Sequence, residues 1–193
     1  MAETNPFFQP LDAITLKRAQ RGEAAAFAEI YRRYRGACFN LALRVLGDVA
    51  AAEDVVQEVF VRLFDSIRRF RGDAPFGAWL RRSVANATID ELRRRQWLAG
   101  DDEVAVAAAA APPLGGLAEQ HVEAWQMLMR LAPRARAVVV LHAIEGYTHA
   151  ELAALFGQSE SYSKSVLARA LHRLNLAALP ASEGDDDVRA EPA

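Results

Sequence analysis

The segment from residue 98 to residue 117, LAGDDEVAVAAAAAPPLGGL, interrupts the helical patterning of the chain and divides it into two blocks. It carries three acidic residues, no basic residue, and the pairs Pro112-Pro113 and Gly115-Gly116. The alanine run can form a helix transiently, but the proline and glycine pairs break it. We therefore expect a flexible acidic linker between two helical domains.

The blocks on either side of this segment have the patterning of amphipathic helices. Apolar residues between Val55 and Ile67, for example, recur at spacings of three and four residues, which places them on one side of a helix. Much of the 52% apolar content is alanine, which favours helices, and strand-like runs are few. We predict an all-α protein with two small helical domains, at residues 11–97 and 118–177, and a disordered acidic tail at residues 178–193.

Capping residues and glycines predict where several helices begin and end. Asp12 is suited to cap a short first helix that ends near Arg21, before Gly22. A second helical stripe continues as far as Gly47, and the next helix starts near Asp48. The first domain should therefore be a bundle of consecutive helices.

Several classes of protein are disfavoured by what the chain contains. No apolar stretch approaches the roughly 20 residues that span a bilayer, and the N-terminus does not have the pattern of a secretory signal. Cys38 is the single cysteine, which fits a reduced, cytoplasmic protein. We find no catalytic residues, cofactor motif or metal-ligand spacing. The four histidines are scattered at His121, His142, His149 and His172.

The most highly charged part of the chain is FRGDAPFGAWLRRSVANATIDELRRRQ, from Phe70 to Gln96. It contains six arginines and three acidic residues, although the whole chain has a net charge of −2. Indole, carboxamide and guanidinium groups can stack on bases and bond to base edges or phosphates. Spacings of three or four place five such residues along one side of a helix: Trp79, Arg82, Asn86, Asp90 and Arg93. This helix alone fits nucleic-acid binding and a solvated face with a buried tryptophan about equally well.

A helix-turn-helix is predicted near the end of the second block, in YTHAELAALFGQSESYSKSVLARALHRL. Thr148 and Glu151 form a capping box, so a helix should begin at His149. Gly157 ends that helix and Ser159 caps a second, basic one. In such a motif the second helix enters the major groove of DNA. The residues expected on or near its outer side are Tyr162, Lys164, Ser165, Arg169 and Arg173. An ordinary helical hairpin is the alternative.

Four blocks of the sequence, in order, resemble the extracytoplasmic-function (group IV) sigma factors of the sigma-70 family. They read GEAAAFAEIYRRY, AAEDVVQEVFVRLF, FRGDAPFGAWLRRSVANATIDELRRRQ and LAPRARAVVVLHAIEGYTHAELAALFGQS. The resemblance covers nearly everything from Ala19 to Leu176. It implies a region 2 domain, a region 4 domain with the helix-turn-helix, and a role in promoter-specific transcription initiation.

The resemblance also implies partners and residue roles. Core RNA polymerase would be bound through the largest-subunit clamp and the flap regions, the clamp by Asp54, Gln57 and Glu58. The −10 promoter element would be opened and held by Arg71, Gly72, Asp73, Trp79, Arg82, Asn86, Arg93 and Arg94, with the turn from Arg71 to Pro75 as the base pocket. The −35 element would be read by Tyr162, Lys164, Ser165, Arg169 and Arg173. An anti-sigma factor is a further implied partner. Neither a small-molecule substrate nor membrane insertion is expected.

The last helix departs from the family pattern. Relatives read S-x-(G/A)-T-V-K-S-R-L-x-R-A, whereas this chain reads SESYSKSVLARA from Ser159 to Ala170. Ser161, Tyr162, Ser163 and Val166 are the differing positions, and Val166 replaces an arginine that would contribute to contact with DNA. The departure predicts either a different −35 sequence or weaker binding.

Two other functions stay open at this point. A sigma-like mimic would keep the fold but sequester a regulator. A conventional helix-turn-helix regulator would need neither the motifs of the first block nor a polymerase, but it would normally need a dimer interface. A small helical enzyme fits least, since no catalytic set is present.

Overall fold

A computed structural model of the chain describes residues 5–99 and 119–178, and these residues form helices and no strands. The eight α-helices are α1 (Ala13–Gln20), α2 (Ala24–Leu46), α3 (Val49–Ser66), α4 (Phe76–Ala99), α5 (Glu119–Met129), α6 (Pro133–Val139), α7 (His149–Phe156) and α8 (Glu160–Ala178). Short 3-10 helices cover Pro6–Phe8 and Ile67–Arg69, and α6 continues as a π-helical turn over Val140–Ile144. The all-α prediction is confirmed.

Two of the predicted segments fall largely outside the described residues. The expected linker begins at residue 98, but α4 continues to Ala99, two residues into the expected linker. The remainder of the linker, residues 100–117, and the expected tail beyond Ala178 lie outside the described ranges. Within those ranges no helix is long and apolar enough to cross a membrane.

Local capping explains the helix boundaries of the first block. The Asp12 carboxylate accepts a hydrogen bond from the Thr15 backbone N–H at 2.9 Å and begins α1. Gly47 ends α2 with a left-handed φ of 70°, a conformation that glycine adopts without steric cost. Asp48 then accepts from the Ala51 N–H at 2.9 Å and begins α3. These predicted boundaries are confirmed.

Helices α2, α3 and α4 pack around one apolar core. Tyr34, Ile30 and Leu80 are fully buried there, and Cys38 is a buried free thiol whose pKa burial raises. The Pro6–Phe8 turn adds Phe7, which stacks on Tyr34 with ring centroids 6.2 Å apart. Gly77 of α4 lies directly under the Phe7 backbone, where a side chain at this position would collide with it.

The second block forms a smaller helical unit that packs against the first. Leu131, Val139 and Ala170 form a small apolar cluster between α6 and α8. Helix α6 also packs across α2, and Trp125, Met129 and Leu141 join the same buried cluster as the core of the first block. The sequence predicted two domains on a linker; the structure adds that these domains are in contact.

A stability prediction follows from Asp48, which joins two helices. One carboxylate oxygen caps α3, and the other lies 3.1 Å from Nη1 of Arg95 on α4. We expect Asp48→Ala to lower the free energy of unfolding by about 1 kcal/mol, because an N-cap is lost. Asp48→Asn keeps a capping oxygen and should lower it by less than about 0.5 kcal/mol, since only an exposed ion pair is lost. Urea denaturation at neutral pH measures both values.

The same residue gives a pH dependence. The hydrogen bond from the Ala51 N–H, and then Arg95, lower the pKa of Asp48. A carboxyl whose pKa is lower in the folded state stabilises above its unfolded pKa, and this contribution disappears as the pH falls through the folded pKa. The difference between wild type and Asp48→Ala should therefore shrink on acidification below about pH 4. A difference that stays constant to the acid limit would contradict the ionised cap.

Candidate nucleic-acid and protein-docking interfaces

A groove of about 200 Å³ runs between α3 and α4. From α4 it is lined by Trp79, Ser83, Asn86 and Asp90, with Arg62 and Ser66 opposite on α3. The Trp79 ring is half-buried and packs against Phe70 and Phe76 at centroid distances of 5.2 and 5.8 Å. An indole fixed in this way beside an exposed amide is a suitable surface for an unstacked base. Three of the five residues predicted to share one side of α4 thus line one groove.

The other two predicted residues of this stripe lie on the side of α4 that faces the second domain. Arg93 donates from Nη2 to the carbonyl oxygen of Leu155 in α7 at 2.8 Å. Arg82 is exposed. The Thr148 hydrogen bonds and then the charges of Arg81 and Arg82 lower the pKa of Glu151. Neither Arg82 nor Arg93 lines the groove.

The arginines at the end of α4 are held by acidic neighbours. Arg93 Nη1 donates to Asp90 Oδ1 at 3.1 Å. Arg94 Nη2 lies 2.8 Å from Glu91 and 3.9 Å from Glu58. These pairs are substantially exposed, so they contribute little stability and can exchange for phosphate contacts.

The turn before α4 is exposed and held at its base. Gln20 of α1 donates from Nε2 to the carbonyl oxygen of Phe70 at 2.9 Å. Gly72 has a left-handed φ of 81°, which allows the chain to reverse there. Arg71 and Asp73 are solvent-exposed, and the turn does not line the α3–α4 groove.

The helix-turn-helix has the predicted local structure. Thr148 and Glu151 form the capping box of α7, and Gly157 ends that helix with a left-handed φ of 64°. Ser159 Oγ accepts from the Tyr162 N–H at 3.1 Å, which caps α8. Helix α8 is 19 residues long, from Glu160 to Ala178.

Four of the predicted −35 residues are exposed along α8, namely Lys164, Ser165, Arg169 and Arg173. Tyr162 differs, because it is half-buried in a crevice that it shares with Ile89, Leu92 and Arg93 of α4. In this arrangement Tyr162 faces the first domain rather than the exposed side of α8.

Two of the departures from the family pattern lie on the buried side of α8. Val166 is 7% exposed and belongs to the core. Ser163 is buried, and its Oγ lies 2.9 Å from Nδ1 of His149. That imidazole stacks on His142 with centroids 4.4 Å apart, although the histidines are scattered in the sequence. Position 166 lies on the side of α8 that packs against the core. Valine at this position therefore removes no side chain from the exposed face of α8.

The three residues predicted to contact polymerase lie within about one turn of α3, and their spacings of three and four place them on neighbouring parts of its surface. Asp54 and Gln57 are exposed on α3. Gln57 lines a groove between α2 and α3, whereas the next residue, Glu58, pairs with Arg62 and Arg94.

The α2–α3 groove is the feature that sequence reasoning missed. It has a volume of about 700 Å³ and an aromatic floor of Phe27, Tyr31, Phe60 and Phe64. The Tyr31 and Phe60 rings lie 4.8 Å apart, and the Phe27 and Phe64 rings 5.2 Å apart. Val61 at its edge is 63% exposed and Phe64 is 45% exposed. The sequence signal for this groove was the wide apolar side of α3. Packing against a single core needs only a narrower apolar side, so the excess width indicates a second apolar surface.

The described residues hold no group of three or more histidine, cysteine, aspartate or glutamate side chains that could bind a metal ion. The α2–α3 and α3–α4 grooves and the exposed basic residues have the chemistry of surfaces that bind macromolecules.

Comparisons with known proteins agree with these surfaces. Residues 30–98 match the Sigma-70 region 2 family and residues 121–174 match the Sigma-70, region 4 family. The ECF RNA polymerase sigma factor SigM of Mycobacterium tuberculosis is 32% identical over 84% of this chain and 82% of SigM. The ECF RNA polymerase sigma factor SigW of Bacillus subtilis is 37% identical, over 42% of this chain and 43% of SigW. The structure of CnrH in complex with the cytosolic domain of CnrY is similar with a TM-score of 0.52 and 27% identity, over 85% of this chain and 94% of CnrH.

Proposed function

We propose a function from the premise that this chain belongs to the extracytoplasmic-function sigma factors of the sigma-70 family. The chain binds core RNA polymerase and directs transcription initiation at those promoters whose −10 and −35 elements it recognises. The observation that carries the proposal is the pairing of two modules on one chain. One presents an indole and an amide in a groove, and the other presents exposed cations on the second helix of a helix-turn-helix. The protein acts by binding and performs no covalent chemistry.

Docking on polymerase is assigned to the α2–α3 groove together with Gln57. Its aromatic floor is partly exposed, and Glu53, Gln57 and Asp65 stand around it. An apolar helix with basic flanks, such as a coiled coil of the polymerase clamp, complements this surface. Asp54 and Glu58 lie beside the groove and contribute through charge, which steers association more than it adds affinity.

Recognition of the −10 element is assigned to the α3–α4 groove and the turn before α4. Strand opening needs a place for an unstacked base and cations for the backbone. Trp79 and Asn86 supply the first. The cations for the backbone are supplied by Arg71, Arg82, Arg93 and Arg94. Contacts of this kind set the affinity for DNA and do not select its sequence.

Recognition of the −35 element is assigned to the exposed side of α8. Lys164, Ser165 and Arg169 lie on its first half, which a helix-turn-helix inserts into the major groove. Linking the two modules converts the second DNA contact into an intramolecular event, so two weak contacts yield a useful combined affinity.

A regulatory partner and a cytoplasmic location complete the proposal. CnrH was solved with the cytosolic domain of CnrY bound, and we propose that this chain likewise has a protein regulator of the anti-sigma type. Polymerase and chromosomal DNA place its work in the bacterial cytoplasm.

Run-off transcription tests the function and separates it from the alternatives. Purified chain added to core polymerase from the same host should give discrete transcripts from a genomic promoter library, and core alone should give none. Stable binding to core without any transcript would instead identify a sigma-like mimic. Sequence-specific DNA binding by a dimer without polymerase would identify a conventional regulator.

A salt titration tests the assignment of α8. We expect Lys164→Ala and Arg169→Ala each to weaken binding of holoenzyme to a −35 duplex and to reduce the slope of log K against log salt by about 1, because each removes one phosphate contact. Lys17→Ala is the matched control, since it removes an exposed lysine from α1. An unchanged slope in both α8 variants would rule out direct contact by these side chains.

A further inference from the structure

Two imidazoles stack face to face in the second domain, beside the helix-turn-helix. His142 belongs to the π-helical turn that follows α6, and His149 is the first residue of α7. Their ring centroids are 4.4 Å apart, and the ring planes are inclined by 22°. The fold therefore brings into contact two groups of the kind that change charge near neutral pH.

Hydrogen bonds hold both rings through their Nδ1 atoms. His142 Nδ1 lies 2.7 Å from the carbonyl oxygen of Tyr147, and His142 is the donor there because a carbonyl oxygen only accepts. His149 Nδ1 lies 2.9 Å from Oγ of Ser163, a residue of α8 that is buried. The pair thus connects the π-helical turn, α7 and α8 through one series of contacts.

The surroundings of His149 disfavour a positive charge. The ring is half-buried in the first turn of α7, where the backbone N–H groups form the positive end of the helix. Desolvation lowers the pKa of His149, and the charges of His142 and Lys164 lower it further. Glu160 acts in the opposite direction, but its carboxylate also lies 3.8 Å from Nζ of Lys164. His149 is therefore largely neutral at pH values near 7.

Helix α4 also packs against α7, and its arginines have partners other than the imidazole of His149. The charges of Arg81 and Arg82 act on Glu151, which belongs to the capping box of α7. Arg93 donates to the carbonyl oxygen of Leu155 at 2.8 Å, in the last turn of α7. The positive charge of α4 is thus directed to the capping box and to the far end of α7.

The helices that pack against the π-helical turn, α2 and α6, bring charges that also have partners of their own. Arg44 of α2 lies 3.7 Å from Oε1 of Glu145, and burial raises the pKa of that carboxyl. Arg136 of α6 donates from Nε to the carbonyl oxygen of Val45 at 2.8 Å. The charge that faces each imidazole most directly is therefore the charge of the other imidazole.

A proton on each ring makes the stack unfavourable. Both Nδ1 hydrogen bonds can persist, because an imidazolium donates from both nitrogens. Two cations in face-to-face contact repel one another, however, and the half-buried site solvates them poorly. Separation of the rings displaces His149, and Ser163 of α8 is bonded to it. Ser163 directly precedes Lys164 and Ser165, which are assigned to the −35 element.

We propose that the His142–His149 pair is a proton-sensitive joint, which fixes α8 against α7 at neutral pH and loosens when both rings are charged. The consequence for promoter recognition rests on the proposed function, whereas the joint itself does not. The buried apolar contacts of Leu152 and Val166 remain, so α8 shifts while the domain stays folded. Sequence-specific contact with the −35 element therefore weakens when the cytoplasm is acidified.

The direction of the pH dependence follows from His149. A base whose pKa is lower in the folded state leaves the unfolded chain with more bound protons, so folding is less favourable at acidic pH. This contribution to stability is complete above about pH 6.5 and decreases as the pH falls below that value. We expect wild type to lose about 3 °C more in its thermal midpoint than His149→Gln between about pH 7.5 and 5.5.

His172→Gln is the matched control for the thermal measurement, because His172 is an exposed histidine of α8 outside the pair. This variant should lose as much stability on acidification as wild type. Equal losses in wild type and His149→Gln would overturn the proposal, since the acid sensitivity would then arise outside the joint.

Nuclear magnetic resonance titration of the imidazole protons tests the pair in the full chain, and its main result needs no folded variant. We expect His142 and His149 to take up protons in two macroscopic steps, as interacting groups do. His142→Gln should move the titration of His149 to higher pH, because the facing charge is removed, and His172→Gln should leave it in place. A single common step for the pair would show two independent rings and no joint.

Binding of holoenzyme to two duplexes extends the test to promoter recognition. The measured quantity is the ratio of affinities for a −35 duplex from an active promoter and for a scrambled duplex, because added positive charge alone strengthens both. In wild type this ratio should fall by at least about 5-fold on acidification, the loss of about one base contact. In His149→Gln it should stay constant. An equal fall in both proteins would contradict control by the joint.

The experiments separate failure of the joint from failure of the proposed function. Absence of any −35 preference at neutral pH, together with a two-step titration of the pair, would count against the proposed function and leave the joint standing. A clear −35 preference with a one-step titration would support the function and reject the joint.

Discussion

Replacing Val61 and Phe64 together with aspartate should weaken binding to core RNA polymerase by about 100-fold, which corresponds to about 2.8 kcal/mol. Val61 is 63% exposed and Phe64 is 45% exposed in the free chain, and both line the aromatic groove. Two carboxylates in a docked apolar surface would be desolvated without partners, which is costly. Neither side chain is part of the buried core, so the main contact that the folded state loses is the one between the Phe64 and Phe27 rings. Fluorescence anisotropy of labelled chain titrated with core polymerase measures the effect.

A matched control separates docking from a general effect of added charge. Ile14 is 69% exposed on α1 and lies outside the groove, so Ile14→Asp should bind core polymerase with unchanged affinity. Equal affinities for the groove variant and the control would show that polymerase is bound elsewhere.

Loss of the Trp79 indole should reduce promoter opening by about 10- to 100-fold, because stacking of one base on an aromatic side chain contributes about 1–3 kcal/mol. Recruitment to duplex DNA should change far less, since the α8 contacts remain. Trp79→Ala also removes packing against Phe70 and Phe76, so Asn86→Ala is the cleaner companion. Asn86 is exposed in the same groove, and its loss should reduce opening by about 10-fold if it makes one base contact. Permanganate footprinting reports the open bubble.

Asn40→Ala is the control for this experiment, because Asn40 is an exposed asparagine on α2 outside the groove. It should give a normal footprint. A full bubble with Trp79→Ala and Asn86→Ala, at normal recruitment, would show that the groove does not hold the opened strand.

The helix-turn-helix was predictable because its signals are local. Thr148 and Glu151 satisfy one another across three residues, and Gly157 and Ser159 end one helix and begin the next. Backbone capping and glycine conformation act within a turn of the chain, so they can be read from neighbouring letters.

The grooves were less predictable, because periodicity says which residues share a side of a helix and not what lies opposite. Gln57 and Glu58 are adjacent in sequence, yet one lines the α2–α3 groove and the other pairs with Arg94 of α4. The apolar side of α3 predicted a core helix. Only the position of α2 left Val61 and Phe64 partly uncovered.

By itself, the sequence determined the helices, their caps and the family to which the chain belongs, since these depend on interactions over a few residues or on shared motifs. The tertiary structure alone decided that Arg136 caps α2 and that Arg93 bonds to Leu155. These contacts join residues far apart in the chain, and they depend on how whole helices pack. From the sequence alone, an arginine is compatible with many such partners, and the packing of the helices selects one of them.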